Sequence, residues 1–148
     1  MSLRSMEQSL PMLLLRAREA VMQHFRPLLA EHGVTEQQWR VLRVLCEQNG
    51  LEAKDLAQRT LMLQPSMTGV LDRLERDGFV ERRSAPGDGR KVTIWLTRKA
   101  RRVYERVAPQ AEATYARLQK SFAGSEWDNL YAGLKRLIDL NGTRNHVD

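Results

Sequence analysis

The chain has 148 residues, 42% hydrophobic and 28% charged, with 24 Lys plus Arg against 18 Asp plus Glu for a net charge of +6. That is the size and chemistry of one globular domain. A membrane protein, a secreted disulfide scaffold and a cysteine-ligated metal domain are disfavoured: no apolar run approaches the roughly 20 residues of a membrane span, and the one cysteine, Cys46, closes no internal disulfide. Arg16 and Arg18 follow the short apolar run Leu10 to Leu15 with no small-residue cleavage site, which is not a secretory pattern, and the lone cysteine makes a reducing cytoplasm the expected home.

From Leu10 to His32 apolar residues recur at helical spacing, with Leu10, Leu14, Ala17, Val21, Phe25 and Leu28 on one stripe and Leu15, Met22 and Leu29 on a second. So wide an arc predicts burial between two bodies. Gly33 ends this helix. Thr35-Glu36-Gln37-Gln38 predicts a capping box, opening a helix with Trp39, Leu42, Leu45 and Cys46 inward and Asn49-Gly50 at its end. A short helix is expected from Ala53 to Arg59, with Leu56 and Ala57 inward. Leu61 to Leu63 makes a turn, and Pro65 suits the first position of the next helix. That helix is expected to bury Met67, Val70, Leu71 and Leu74, to stop at Gly78, and to expose Gln64, Ser66, Thr68, Gly69, Asp72 and Arg73.

Phe79 to Arg83 and Val92 to Leu96 have strand character, and the Pro-Gly and Asp-Gly pairs between them predict a β-hairpin with a basic tip. Thr97 caps a long helix bearing Ala100, Tyr104, Val107, Ala111, Tyr115, Leu118 and Phe122, which Pro109 is expected to kink. Ser125 caps a last helix with Trp127, Leu130, Leu134, Leu137 and Ile138 inward, and the tail beyond Asn141-Gly142 is expected to fray. The order α-α-α-α-β-β-α-α describes a mostly α, winged helix-turn-helix domain. Long helices at 10–32 and 98–141 are expected to flank a winged lobe at 35–97, and the terminal apolar stripes need more cover than a small winged domain supplies, so the flanking helices are expected to serve dimerisation.

Between Arg73 and Arg106 stand eleven basic and five acidic residues, an excess equal to the net charge of the whole chain. A local basic field suits a polyanion, through release of condensed counterions. By charge alone, a solvated basic face without a partner remains open. The helix-turn-helix pattern adds geometry: a helix in the major groove needs small groups where its backbone meets the bases, here Ser66, Thr68 and Gly69, and donors such as Gln64 or Arg73 for base edges. Arg90 on the hairpin tip is placed to reach the adjacent minor groove. The bland alternative is that Gln64 to Arg73 is only the solvated side of a core helix.

Asp55-Leu56-Ala57 and the run Leu71-Asp72-Arg73-Leu74-Glu75-Arg76-Asp77-Gly78-Phe79-Val80 resemble the winged helix-turn-helix of the multiple-antibiotic-resistance-regulator (MarR) family. The family's wing signature, Asp-x-Arg followed by five residues and Leu-Thr, is matched by Asp88, Arg90, Leu96 and Thr97. Arg18-Glu19-Ala20, Phe25-Arg26-Pro27 and Thr35 to Arg40 resemble the subfamily of repressors that control homoprotocatechuate (aromatic-acid) degradation operons. The resemblance implies a homodimer with one recognition helix per half, on a pseudo-palindromic double-stranded operator whose half-sites lie about 10–10.5 bp apart. It implies that Asp88 orients Arg90 in the wing and that Lys91 and Arg83 bind phosphate. Ser66, Thr68 and Arg73 would face the major groove, and Lys54, Gln58 and Arg59 would touch backbone and fix register.

A helical projection places Arg18 in the middle of the first helix's apolar arc, with His24 on its other side. A guanidinium in apolar surroundings needs an anion, and its planar fork fits a carboxylate. Trp39 offers a face for an aromatic ring, with Arg43 beside it. Arg18, His24, Trp39 and Arg43 are therefore the expected site of a small aromatic carboxylate, a ligand class the resemblance also implies. The rival reading pairs Arg18 with an internal or partner-chain carboxylate and makes Trp39 ordinary core. Cys46 raises a redox-switched alternative, set against a buried inert thiol. His24, His32 and His146 lack metal-ligand spacing, and no nucleophile motif, phosphate-binding glycine loop or paired catalytic carboxylate occurs. No metal, cofactor or enzymatic activity is expected. The reading is a transcriptional regulator, a repressor of an aromatic-acid catabolic operon. A non-specific nucleic-acid-binding module is the alternative that uses the basic stretch alone.

Overall fold

The computed structural model describes residues 1–142; His146 and the tail expected to fray beyond Gly142 lie outside them. A single 3-10 turn, Met6–Gln8, precedes α1 (Leu10–Glu31), α2 (Glu36–Glu47), α3 (Ala53–Thr60), α4 (Gln64–Arg76), β1 (Val80–Ala85), β2 (Asp88–Leu96), α5 (Arg98–Gln119) and α6 (Glu126–Gly142). The fold is the expected winged helix-turn-helix with long terminal helices. The chain divides into two compact units, the first Met1–Ala111 and the second starting at Glu112, so the boundary falls inside α5.

In the first unit, local signals act where the sequence puts them. Gly33 ends α1 at φ +71°. The capping box is complete: Gln38 N–H donates to Thr35 Oγ1 at 3.2 Å and Thr35 N–H to Gln38 Oε1 at 3.0 Å. α2 then buries Val41, Leu42 and Leu45, α3 buries Leu56 and Ala57, and α4 buries Met67, Val70, Leu71 and Leu74 around one core. Val41 was not expected inward. The α3–α4 turn is closed without glycine: Leu61 takes φ +55°, and Met62 N–H donates to Ala57 O at 3.0 Å. Pro65 is the second residue of α4, not the first, because Gln64 already has helical geometry.

The strands run longer than expected. Pairing reaches Ala85 opposite Asp88, so only Pro86-Gly87 makes the turn, with Gly87 at φ +81° as the third position of a Pro-Gly turn requires. The remainder of the expected loop is strand with a register shift between Ser84 and Ala85. Val80, Ile94 and Leu96 face the core. A bridge between Leu51 and Ile94 adds the α2–α3 connection to the edge of β2.

α5 is capped by Thr97, whose Oγ1 accepts from Ala100 N–H at 3.2 Å. It buries Ala100, Val107 and Ala111 and runs without interruption through Pro109. The carbonyl that proline leaves without a helical donor is that of Glu105, an exposed residue, where water can satisfy it. Phe122 lies beyond the end of α5 and is exposed. In the second unit, the α6 residues expected inward do not become buried: none of α6 is, and Ile138 is 71% exposed. On α1, only Phe25 and Leu29 of the two apolar stripes are buried, while Leu10, Leu14, Leu15 and Val21 stay exposed. Amphipathic periodicity specifies an apolar face; it needs a second body to cover it.

Candidate nucleic-acid interface and anion site

α4 buries one side and turns Gln64, Ser66, Thr68 and Arg73 outward, all exposed. Thr68 Oγ1 donates back to Gln64 O at 3.3 Å. At Gly69 an added Cβ would meet only the end of Arg73, at 3.7 Å, so the helix surface there is open to close approach. Asp72, expected on this outward face, is engaged by Arg82 of β1 at 2.8 Å, and the same guanidinium reaches Glu75 at 3.1 Å. The hydrogen bond to Asp72, opposed by desolvation and reinforced by both carboxylates, raises the Arg82 pKa above its ordinary value. This fork ties the hairpin to α4. Sequence reasoning did not assign it; the signal was two carboxylates three residues apart on one side of a helix ahead of a strand arginine.

At the hairpin tip Asp88 Oδ1 accepts from Arg90 N–H at 3.1 Å, so Asp88 orders the backbone that carries Arg90. Arg90 and Lys91 are exposed; Lys91 Nζ lies 4.0 Å from Glu52. Arg83 is half-exposed, paired with Glu81 at 3.3 Å and seated over the Trp95 ring. Lys54 and Gln58 on α3 are exposed, whereas Arg59 is engaged by Gln48 at 2.9 Å and Glu47 at 3.5 Å. The first unit therefore presents a polar helix face and a basic hairpin from one rigid core, the arrangement that reads a groove with a helix and neutralises phosphate with flanking cations.

The residues expected to hold an anion are placed differently. Arg18 does not sit in apolar surroundings: its side chain is 50% exposed and pairs with Glu36, which is 15% exposed. Arg26 reaches Glu36 at 3.4 Å and Glu19 at 2.9 Å. The hydrogen bond to Arg26 holds the Glu19 carboxyl below its ordinary value. His24 and Arg43 are exposed. Trp39 is buried, and Tyr104 stacks on it at 5.4 Å and 24°, covering one face of the indole.

Arg40 belongs to this region and was missed. Its Nη1 donates to Thr60 O at 2.7 Å, across 20 residues of sequence. Its Nε is buried with no hydrogen-bond partner, and burial, followed by the charge of Arg18, lowers its pKa. A shielded guanidinium donor left without an acceptor is a place that an anion would stabilise. The only signal for Arg40 in the sequence was its place one turn after Glu36.

Cys46 is half-buried against the core, and burial pushes its thiol pKa up against the pull of Arg101. No cluster of three His, Cys, Asp or Glu suited to a metal occurs among the described residues. No helix among them is long and apolar enough to cross a membrane.

The MarR family profile matches residues 32–91. Over 139 residues, 94% of this chain and 94% of the relative, the sequence is 41% identical to the homoprotocatechuate degradative operon repressor of Escherichia coli. Among solved structures, the transcriptional regulator PA4135 superposes with a TM-score of 0.80 at 46% identity, covering 88% of this chain and 96% of that one. NadR in complex with 4-hydroxyphenylacetate superposes with a TM-score of 0.80 at 32% identity, covering 91% of this chain and 98% of that one.

Proposed function

The chain belongs to the MarR family, and we propose that it is a dimeric, DNA-binding repressor of an aromatic-acid catabolic operon, released from its operator by a small aromatic carboxylate. The observation that carries this reading is the 41% identity to an operon repressor over 94% of both chains, joined to a helix face and wing whose exposed groups suit DNA. α4 enters the major groove, with Gln64 and Arg73 as donors for base edges and Ser66 and Thr68 allowing close approach. Arg90 enters the minor groove, Lys91 and Arg83 take backbone phosphates, and Lys54 fixes register. A two-fold dimer presents two such helices to half-sites about 10–10.5 bp apart.

The effector is read as binding in the region around α1 and α2. A carboxylate that displaces Glu36 from Arg18, with its ring near Trp39 and with Arg43 and His24 at the margin, binds one spacing of the two recognition helices better than the other. Because coupling is reciprocal, ligand that favours the spacing unable to match successive grooves lowers DNA affinity, and DNA lowers ligand affinity by the same factor. The likeness to NadR, solved with 4-hydroxyphenylacetate, supports an aromatic acid over an aliphatic one.

The test is a mobility-shift titration on DNA upstream of this protein's own gene, at fixed salt, with homoprotocatechuate, 4-hydroxyphenylacetate and acetate in parallel. Release by an aromatic acid and not by acetate is expected, with Arg18→Ala blunting it. Full release from the Arg18→Ala protein would remove Arg18 from the site while leaving the repressor intact.

A further inference from the structure

The hairpin has two faces of different chemistry. One closes on the core through Val80, Ile94 and Leu96. On the other, the register sets Glu81 opposite Trp95 and Arg83 opposite Thr93. Arg83 and Trp95 are diagonal neighbours there, with the guanidinium carbon 4.6 Å from the indole centroid. Trp95 is itself held. Its Nε1 donates to Thr93 Oγ1 at 2.8 Å, and the Thr93 hydroxyl donates to Arg83 O at 3.3 Å.

Behind the ring stands Gly50, where any Cβ would come within 2.6 to 2.9 Å of three indole carbons. Gly50 also has φ +77°, so only glycine satisfies both the backbone and the contact. The segment around Gly50 is pinned to β2: Gly50 N–H donates to Ile94 O at 3.0 Å, Ile94 N–H to Leu51 O at 2.8 Å, and Leu96 N–H to Asn49 Oδ1 at 2.9 Å. The α2–α3 connection is thus a fixed wall, the indole lies against it, and the guanidinium lies on the indole.

The geometry points to Trp95 as a positioning residue for DNA binding: wedged against Gly50, its ring holds the Arg83 guanidinium ready to meet a backbone phosphate. The inference rests on the wing contacting DNA as set out above. A long arginine free in solvent must give up rotamer freedom on binding, whereas a stacked one has already done so. Glu81 engages Nη2, and the other donors of the fork are left for phosphate oxygens.

The test uses the full-length protein and a random-sequence duplex, because a phosphate contact needs no particular sequence, with binding followed by fluorescence anisotropy over a salt series. Arg83→Ala is expected to flatten the slope of log K against log salt by about 1. Trp95→Leu, which removes no charge, is expected to flatten it equally and to weaken binding about 3- to 5-fold. Trp95→Phe keeps a ring face and the wild-type slope. The double variant Trp95→Leu/Arg83→Ala binds no more weakly than Arg83→Ala. Arg83→Lys, independent of any change at Trp95, keeps the charge but not the planar stack and loses part of the affinity. An unchanged slope in a folded Trp95→Leu protein, additive losses in the double variant, or wild-type affinity in Arg83→Lys each overturns the inference. Failure of the wild-type protein to bind any duplex would contradict the DNA-binding reading instead.

Discussion

In the winged lobe, α2 buries Val41, Leu42 and Leu45 and α4 buries Met67, Val70, Leu71 and Leu74, whereas α6 carries Trp127, Leu130, Leu134, Leu137 and Ile138 at the same helical spacing and buries none of its residues. In the second unit, Phe122, Trp127 and Tyr131 form a chain of ring contacts at 5.3 Å each, yet Phe122 and Tyr131 remain exposed. Apolar periodicity therefore has two outcomes in one chain. Where neighbouring elements converge, it closes a core; on α1 and on α6 it leaves apolar side chains exposed, which a second copy is expected to cover in a homodimer. The lobe is expected to read DNA, and the terminal helices to set where two such lobes stand.

That contrast can be broken first at the core. Leu71→Ala is expected to cost about 2–5 kcal/mol in urea unfolding, since Leu71 is almost fully buried and its removal leaves a cavity. Leu130→Asp combined with Ile138→Asp is expected to raise the dimer dissociation constant about tenfold or more in sedimentation velocity, about 1.4 kcal/mol, with the helical circular dichroism retained. A double variant that stayed dimeric would show that α6 is not the covered surface. Arg90→Ala, at the exposed hairpin tip, should lower operator affinity by about 1 kcal/mol and flatten the salt slope by about 1 without changing oligomeric state. Thr35→Ala removes one half of the capping box and is expected to cost about 1 kcal/mol, read from the urea midpoint at constant m-value.

The smallest effect is expected at Cys46. Burial raises its pKa in the folded protein, so at any given pH the folded chain holds less thiolate than the unfolded one. Labelling by a disulfide reagent should begin at higher pH in the native state than in urea, and Cys46→Ser should leave DNA binding and its release unchanged. Release of DNA by peroxide that disappears in Cys46→Ser would make the protein a redox switch.

What could be read in advance was local. The Thr35–Gln38 box, the Gly33 and Gly78 helix stops and the small outward groups of α4 are each complete within a few residues, and each forms as expected. The turn chemistry was also local but ambiguous: two competing pairs, Pro86-Gly87 and Asp88-Gly89, were available, and because the first forms the turn the strands extend past the expected loop. What escaped was set by tertiary approach. Arg18 finds Glu36, Arg40 finds Thr60 O, and Arg82 finds Asp72, across 18, 20 and 10 residues. Helical projection set Arg18 on an apolar arc but could supply neither the carboxylate from the next helix nor the exposure that leaves Arg18 half in solvent. For α6, the spacing gave the apolar face and had nothing to say of what covers it.

Hydroxyl-radical footprinting of the DNA upstream of this protein's gene, with and without homoprotocatechuate, bears most directly on a rigid reading lobe doubled by a partner. The account predicts two protected patches on one side of the duplex, centred about 10–10.5 bp apart, both erased by the aromatic acid. A single patch, or protection spread evenly along the duplex, would contradict the two-lobed dimer, and paired patches indifferent to every aromatic acid tried would contradict the effector.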